Sequence, residues 1–342
     1  MTFKNRNCLL LLEFGIPHYR YFIFEYFNSV FKEFEIFHSG ERFSENNDFK
    51  NKKGVNIKFP NEISLTFFNP FLFFKYELII STLNLRKPHT WLPIIFFPKK
   101  KWILWGQGVH KNESKLLNNF RRYIISKSIG YVTYTDKGRE NLISMGVMPE
   151  KISVAYNTLR IDNSEMTIGK DYLLYVGRLQ KRKGIEKVIK CIKNTKYKLL
   201  IIGDGDYKIY LKDLVKSYKL EEQVEFIQGI YDDNLLKKYF SNSIAYVSPD
   251  HVGLGVVHSF AYGVPVVTCR NRKHAPEFEY CNESNSYLYN DDNELLDTIK
   301  CIYTDDKMRL VKKENAFSFF NKNLHFENVY KAFIYQFKKI EI

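Results

Sequence analysis

Cysteine is scarce and unpaired: Cys8, Cys191, Cys269, Cys281 and Cys301 are the only five in 342 residues, and no two form a CxxC. An odd count at such spacings excludes a disulfide framework and a zinc site, and points to a reducing, cytoplasmic compartment. Long hydrophobic runs are also missing. Cys8–Leu12 ends at Glu13, too short for the apolar core of a signal peptide, and reads as a buried first strand. The longest charge-free stretch, 251–269, matches a bilayer in length alone. Its two histidines, three glycines and one proline make it a strand, turn and helix instead. Internal repeats and low-complexity segments are absent. No helix-turn-helix, zinc-finger or RNP-like pattern accompanies the basic charge, which excludes the common nucleic-acid readers.

What is present is basic and aromatic. The chain carries 52 Lys+Arg against 38 Asp+Glu, a formal net charge of +14. Residues 1–160 hold 24 of those bases and 13 of the acids, so most of the excess belongs to the first half. There Lys99, Lys100 and Lys101 stand among Trp91, Phe96, Phe97, Trp102 and Trp105. That mixture suits an anionic membrane interface, where aromatics sit at headgroup level and bases meet anionic lipid. The competing reading is two buried strands, Ile94–Phe97 and Trp102–Trp105, joined by a solvated basic turn.

The length suggests two domains, and short apolar strands alternating with helical stretches predict α/β layers on parallel sheets. In the second half, strands are expected at Tyr172–Val176, Lys198–Ile202, Val224–Ile227, Ile244–Val247 and Val264–Thr268. In the first half, Leu9–Leu12, Glu35–His38, Leu78–Ser81, Trp102–Trp105 and Tyr131–Tyr134 read as strands and Tyr21–Phe34 as a helix. Asn157–Asp171 is polar and reads as the linker. Near the end, Phe326, Val329, Tyr330, Phe333, Ile334 and Phe337 recur at helical spacing.

Two segments carry chemistry. From Tyr175 to Gly184 the chain reads strand, glycine, basic loop and helix start. Gly177 allows a sharp turn at a strand's carboxyl end, where α/β proteins bind ligands. Arg178 and Lys183 put two cations beside a helix N-terminus, and a diphosphate is the anion that fits best. Charge alone equally describes a solvated loop. The second segment, Pro249–Val267, reads as strand end, glycine-bearing loop, short helix, Gly263 as cap, Pro265 and a new strand. Asp250 and His258 flank its turn. A lone helix histidine is more often a satisfied structural side chain than a ligand.

Together these segments resemble family 4 of the glycosyltransferases, retaining enzymes of the GT-B fold. Gly177-Arg178-Leu179 with Lys183-Gly184 matches the family's diphosphate loop. Gly203-Asp204-Gly205 matches its G-x-G strand end, Val224–Gly229 its V-x-F-x-G strand, and 250–267 its E-x7-E region followed by A-x-G-x-P-V-V. The resemblance implies two doubly wound Rossmann-like domains with the active site in the cleft between them. Residues 1–160 would form the acceptor-side domain and 161–322 the sugar-nucleotide domain, with 323–342 a helix returning to the first.

The implied reaction is transfer, with retention, from a nucleotide-sugar donor to a glycan or undecaprenyl-linked acceptor in bacterial surface polysaccharide synthesis. Arg178, Lys183 and Asp250 are the expected catalytic set. Gly15, Gly177, Gly205, Ile227, Gly253, Leu254, Gly255, His258 and Glu277 are expected on the donor, and His18 and His110 on the acceptor side. No cofactor or metal is expected, because no DxD-like acidic cluster stands at a strand end and Asp232-Asp233 and Asp291-Asp292 read as helix caps. The protein would work in the cytoplasm or at the inner face of the membrane. Asp250 and His258 stand where the family has two glutamates, so Asp250 reaches one methylene less and His258 cannot take two hydroxyls at once. Two alternatives remain at this point: a GT-B sugar-nucleotide epimerase, and an inactive nucleotide- or glycan-binding relative.

Overall fold

The computed structural model describes residues 3–40, 49–60, 63–108 and 114–340. The chain divides into two units, Met1–Tyr156 with Phe326–Ile342, and Asn157–His325.

The first unit opens with β1 (Phe3–Leu11), α1 (Tyr21–Val30), β2 (Phe31–His38) and β3 (Asn51–Lys53). A hairpin of β4 (Val55–Lys58) and β5 (Ser64–Phe67) follows, then α2 (Leu72–Lys75), β6 (Leu78–Thr82), α3 (Leu92–Phe96) and β7 (Lys101–Gly106). Next come α4 (Lys115–Ser126), β8 (Gly130–Thr133), α5 (Asp136–Ser144) and β9 (Ile152–Val154). Seven strands pair in parallel in the order β3-β2-β1-β6-β7-β8-β9. Strand order reverses between β1 and β6, the place where an open α/β sheet leaves a crevice at its carboxyl ends.

The second unit runs β10 (Tyr172–Val176), α6 (Ile185–Ile192), β11 (Leu199–Ile202), α7 (Lys208–Ser217) and β12 (Val224–Ile227). It continues with α8 (Asp233–Asn242), β13 (Ser243–Val247), α9 (Gly255–Ala261), β14 (Val266–Cys269), β15 (Ser286–Tyr289), α10 (Leu295–Thr304) and α11 (Asp306–Phe319). Its parallel sheet has the order β12-β11-β10-β13-β14-β15, reversing between β10 and β13. Both units are thus doubly wound, as expected, and each buries its strands' Leu, Ile and Val residues in a two-faced core.

After α11 the chain forms α12 (Phe326–Phe337), which belongs to the first unit. Phe333 packs edge-on against Phe27 at 4.9 Å and Trp105 at 5.2 Å, and Phe337 against Phe31 at 5.1 Å. Tyr330 stacks on Tyr26 at 4.2 Å. The apolar stripe read from the sequence is therefore covered by α1, β2 and β7.

Four expectations change. The helix expected over Tyr21–Phe34 stops at Val30, because Phe31 is already paired with Phe3 in the β1–β2 ladder. The strand expected at Ile94–Phe97 is the helix α3, with Pro93 in its first turn. Trp102 and Trp105 are buried in β7 and take no part in any surface patch. The exposed aromatics nearby are Phe71, Phe74 and Phe96. Finally, 157–171 is no free linker. Thr158 and Ile161 are buried, and the Glu165 and Thr167 amides donate to the Ala261 and Tyr262 carbonyls.

Candidate functional site

In the second unit the loops after β10, β11 and β13 converge at the strand-order reversal. The β10 and β11 loops are stitched by backbone: Gly177 N–H donates to Ile202 O (3.0 Å) and Leu179 N–H to Asp204 O (2.9 Å). Gly203, at φ +153°, is required there, since a Cβ would stand 1.9 Å from the Gly177 carbonyl. The Ile227 carbonyl accepts from Gly203 N–H, and Gly205 lies exposed at the same edge. Asp204 accepts from Gly229 N–H (2.7 Å) and Lys208 (2.6 Å), tying the β11 and β12 loops together.

Arg178 is exposed, its carbonyl fixed by the Tyr175 hydroxyl at 2.9 Å. Lys183 is half-buried on a single 3-10 turn, Lys181–Lys183, and its Nζ donates to the His251 carbonyl at 3.1 Å. Burial first, then the neighbouring Arg182 guanidinium, pulls its pKa down to about 8, while the charge of Glu277 works in the other direction. Gly184 follows at φ +70°, and a Cβ there would meet the Asp250 carboxylate at 2.5 Å. Asp250 therefore lies directly against the basic loop, and its own N–H points to Lys183 O (3.4 Å).

The Asp250 carboxylate is occupied. It accepts from Lys187 Nζ (2.6 Å) and Arg272 Nε (2.9 Å). Asp292 closes the ring, pairing with Lys187 at 3.0 Å and Arg272 at 2.9 Å. Gly253 and Leu254 lead into α9, with a Cβ on Gly253 standing 3.7 Å from Lys183 Nζ. Gly255 answers a packing need, because a Cβ would strike the Tyr246 hydroxyl.

His258 Nε2 lies 3.1 Å from Asp233 Oδ1 on α8, and its ring lies parallel to Phe240. Glu277 is buried, not a surface charge, and Asn157 Nδ2 donates to it at 2.5 Å. Lys183, Asp250, Gly253 and Glu277 are thus brought together around one loop, while His258 is held by the neighbouring helix. The acidic pairs are engaged as well. Asp232 and Asp291 cap their helices, Asp233 holds His258, and Asp292 holds Lys187 and Arg272.

In the first unit a cavity of about 200 Å³ sits at the β1/β6 reversal, lined by Glu13, Asn84, Trp105, Gln107 and Tyr134 among others. Asn84 Nδ2 donates to Glu13 Oε2 at 2.6 Å. Arg20 is buried beneath it, 4.4 Å over the Trp105 ring and 2.9 Å from the Tyr134 hydroxyl. Gly15 is buried in the loop after β1, and His18 is exposed one turn before α1. His110 lies outside the described residues.

Sequence reasoning missed Arg182, His251, Lys187 and Arg272, and read Asp292 only as a helix cap. Arg182 was visible in the basic loop and Lys187 just after it, but only the folded loops show what they face.

Two doubly wound units with crevices at their strand reversals define the GT-B fold. Residues 161–319, a little under half of the chain, match the family model described as Glycosyl transferases group 1. The structure of Anabaena HepE in complex with UDP superposes with a TM-score of 0.74 over 97% of this chain and 99% of that one, at 13% identity. An uncharacterized glycosyltransferase of Methanocaldococcus jannaschii is 28% identical over 47% of this chain and 47% of its own length. A Campylobacter jejuni 4-alpha-N-acetylgalactosaminyltransferase, named for a diphospho-undecaprenol-linked acceptor, is 26% identical over 60% and 59%. The matches to these two curated relatives thus span about half of their lengths.

Proposed function

We propose that this chain is a retaining glycosyltransferase that moves a sugar from a nucleotide-sugar donor to a glycan or lipid-linked glycan acceptor in surface-polysaccharide synthesis. The observation that carries the proposal is the half-buried Lys183, held with Arg178 on a basic loop at the sheet's switch point inside the matched region 161–319. The UDP bound by Anabaena HepE and the acceptor in the Campylobacter enzyme's name support a nucleoside diphosphate and a lipid-linked glycan as partners. Lys183 and Arg178 would stabilise the charge that builds on the diphosphate as the glycosidic bond to it breaks. Asp250 keeps the loop in place through Gly184, Lys187 and Arg272. Glu13 and Asn84 in the first unit's cavity are suited to accept from and donate to a sugar hydroxyl.

Transfer needs no metal in this reading, since the acidic pairs are engaged in caps and ion pairs. A lipid-linked acceptor also places the enzyme at an anionic membrane surface. The deciding experiment mixes the protein with UDP-, GDP-, ADP- and dTDP-sugars and an undecaprenyl-linked glycan, in EDTA, and measures nucleotide release. We expect release with one donor class. Replacing Arg178 or Lys183 with Ala should lower turnover by about 10²–10³, as loss of one preorganised charge stabiliser does elsewhere. Turnover within a few-fold of wild type in both variants would remove the diphosphate assignment. Activity lost in EDTA and restored by Mg²⁺ would remove the metal-free chemistry.

A further inference from the structure

Two cationic side chains converge on one imidazole. Arg182 Nη1 lies 2.5 Å from His251 Nε2, and Lys183 Nζ lies 3.5 Å from His251 Nδ1. A guanidinium only donates, so Nε2 is the acceptor and the ring's single proton sits on Nδ1. That N–H then faces an ammonium, which also only donates. The contact with Lys183 is mismatched as it stands, and the ring bonds its own backbone carbonyl instead. The His251 backbone is nonetheless firmly placed, its carbonyl accepting from both Ser248 Oγ (3.0 Å) and Lys183 Nζ (3.1 Å).

Counter-charge reaches this group only from a distance, through Glu277 acting on Lys183. Among the described residues neither Arg182 nor Lys183 pairs with a carboxylate. Asp250 is taken by Lys187 and Arg272, and Glu277 receives Asn157. The other ring on these loops, His274, has Nδ1 accepting from Val252 N–H and Nε2 donating to the Cys269 carbonyl, with Phe278 stacked on its face at 4.1 Å. Two cations and a neutral ring gathered with no carboxylate in direct contact form a receptor for an anion.

Resting on the reading of Lys183 as a diphosphate ligand, we propose that His251 is a further diphosphate ligand, which takes up a proton from solvent when the donor binds and returns it when the nucleoside diphosphate leaves. The field around the ring agrees. Burial, then Lys183, then Arg182 hold the His251 pKa down to about 4, with His274 adding to the same direction, so the ring is neutral at pH 7. A diphosphate brings negative charge against the ring and reverses that field. The imidazolium then donates from both nitrogens to phosphate oxygens, and Arg182, which loses Nε2 as its acceptor, turns with Lys183 to the same diphosphate. As the bond from the anomeric carbon to the diphosphate oxygen breaks, its electron pair stays on that oxygen. A charged donor there is worth more than a neutral one.

The test is a pH titration of the protein labelled with ¹³C at histidine Cε1, with and without saturating UDP. His251→Asn identifies the resonance among the eight histidines, and His251→Gln does so should that variant misfold. We expect the His251 pKa to rise from about 4 to about 7 or above with UDP, which leaves the ring charged at neutral pH. A pKa that stays below about 6 in UDP-saturated protein overturns the His251 assignment alone. A Lys183→Ala variant that binds UDP as tightly as wild type overturns the diphosphate reading, and this proposal with it.

Discussion

Lys183 is the residue whose chemistry reaches furthest. Its ammonium is half-buried, and burial with Arg182 lowers its pKa to about 8, so the empty site loses that charge as pH rises through 8. A diphosphate favours the protonated form. The lysine's own contribution to donor affinity should therefore be full below pH 8 and fall as pH rises above it, by up to about tenfold per unit once Lys183 is deprotonated. A Lys183→Arg variant keeps its charge and should flatten the curve, which isothermal titration with UDP from pH 6.5 to 9.5 would show. A wild-type affinity constant across that range would mean Lys183 does not meet the ligand. The loop bearing Lys183, and its glycines, were legible in the sequence because strand, glycine and bases are contiguous there. The partners were not. Asp250 was expected in the catalytic set, but Lys187 is 63 residues away in the chain and Arg272 is 22, so nothing local revealed that both hold it. Glu277 was expected on the donor, but its burial against Asn157, 120 residues away in the chain, was equally invisible locally.

Elements were legible where periodicity was long and less so where runs were short. Strands of the second unit sat within a residue or two of their expected places, because each is an apolar run closed by glycine or a polar turn. Ile94–Phe97, by contrast, is four apolar residues, a length that fits strand and helix alike. The stripe on α12 was unmistakable, and its packing gives a clear expectation. Phe333 is fully buried among Phe27, Trp105 and Phe337. Phe333→Ala should cost about 3–5 kcal/mol, the usual price of a large aromatic cavity in a core. Tyr335, exposed on the opposite side of the same helix, should tolerate Ala with little loss. Thermal denaturation of both variants checks this, and equal melting temperatures would mean α12 is only loosely seated.

For the molecule as a whole, the basic excess of the first half acquires a shape. Phe71, Phe74 and Phe96 are 75%, 67% and 69% exposed. Phe74 touches Phe97, and Lys100 Nζ donates to the Phe74 carbonyl, so these aromatics adjoin the basic turn. Lys99 and Lys101 are exposed beside them. No described helix is long and apolar enough to cross a membrane, so contact with a bilayer would be through such a surface. Two bases at about 1 kcal/mol each contribute roughly 2 kcal/mol on anionic lipid, weakened by salt. Flotation with vesicles containing phosphatidylglycerol should be lost in a Phe71→Ser, Phe74→Ser, Phe96→Ser variant and weakened in Lys99→Gln, Lys101→Gln. Unchanged flotation in both would exclude this patch.

The seat of α12 also sets an order of assembly during synthesis. Residues 157–325 are contiguous and can close their core as soon as they leave the ribosome. The first unit emerges earlier but waits for Val329, Phe333 and Phe337, which arrive about 180 residues after Val154. At the usual pace of roughly 5–20 residues per second, that is on the order of ten to thirty seconds with Phe27, Phe31 and Trp105 uncovered. During that interval the nascent chain displays an aromatic groove of the kind holdase chaperones bind, and the half emerging first is the last to mature.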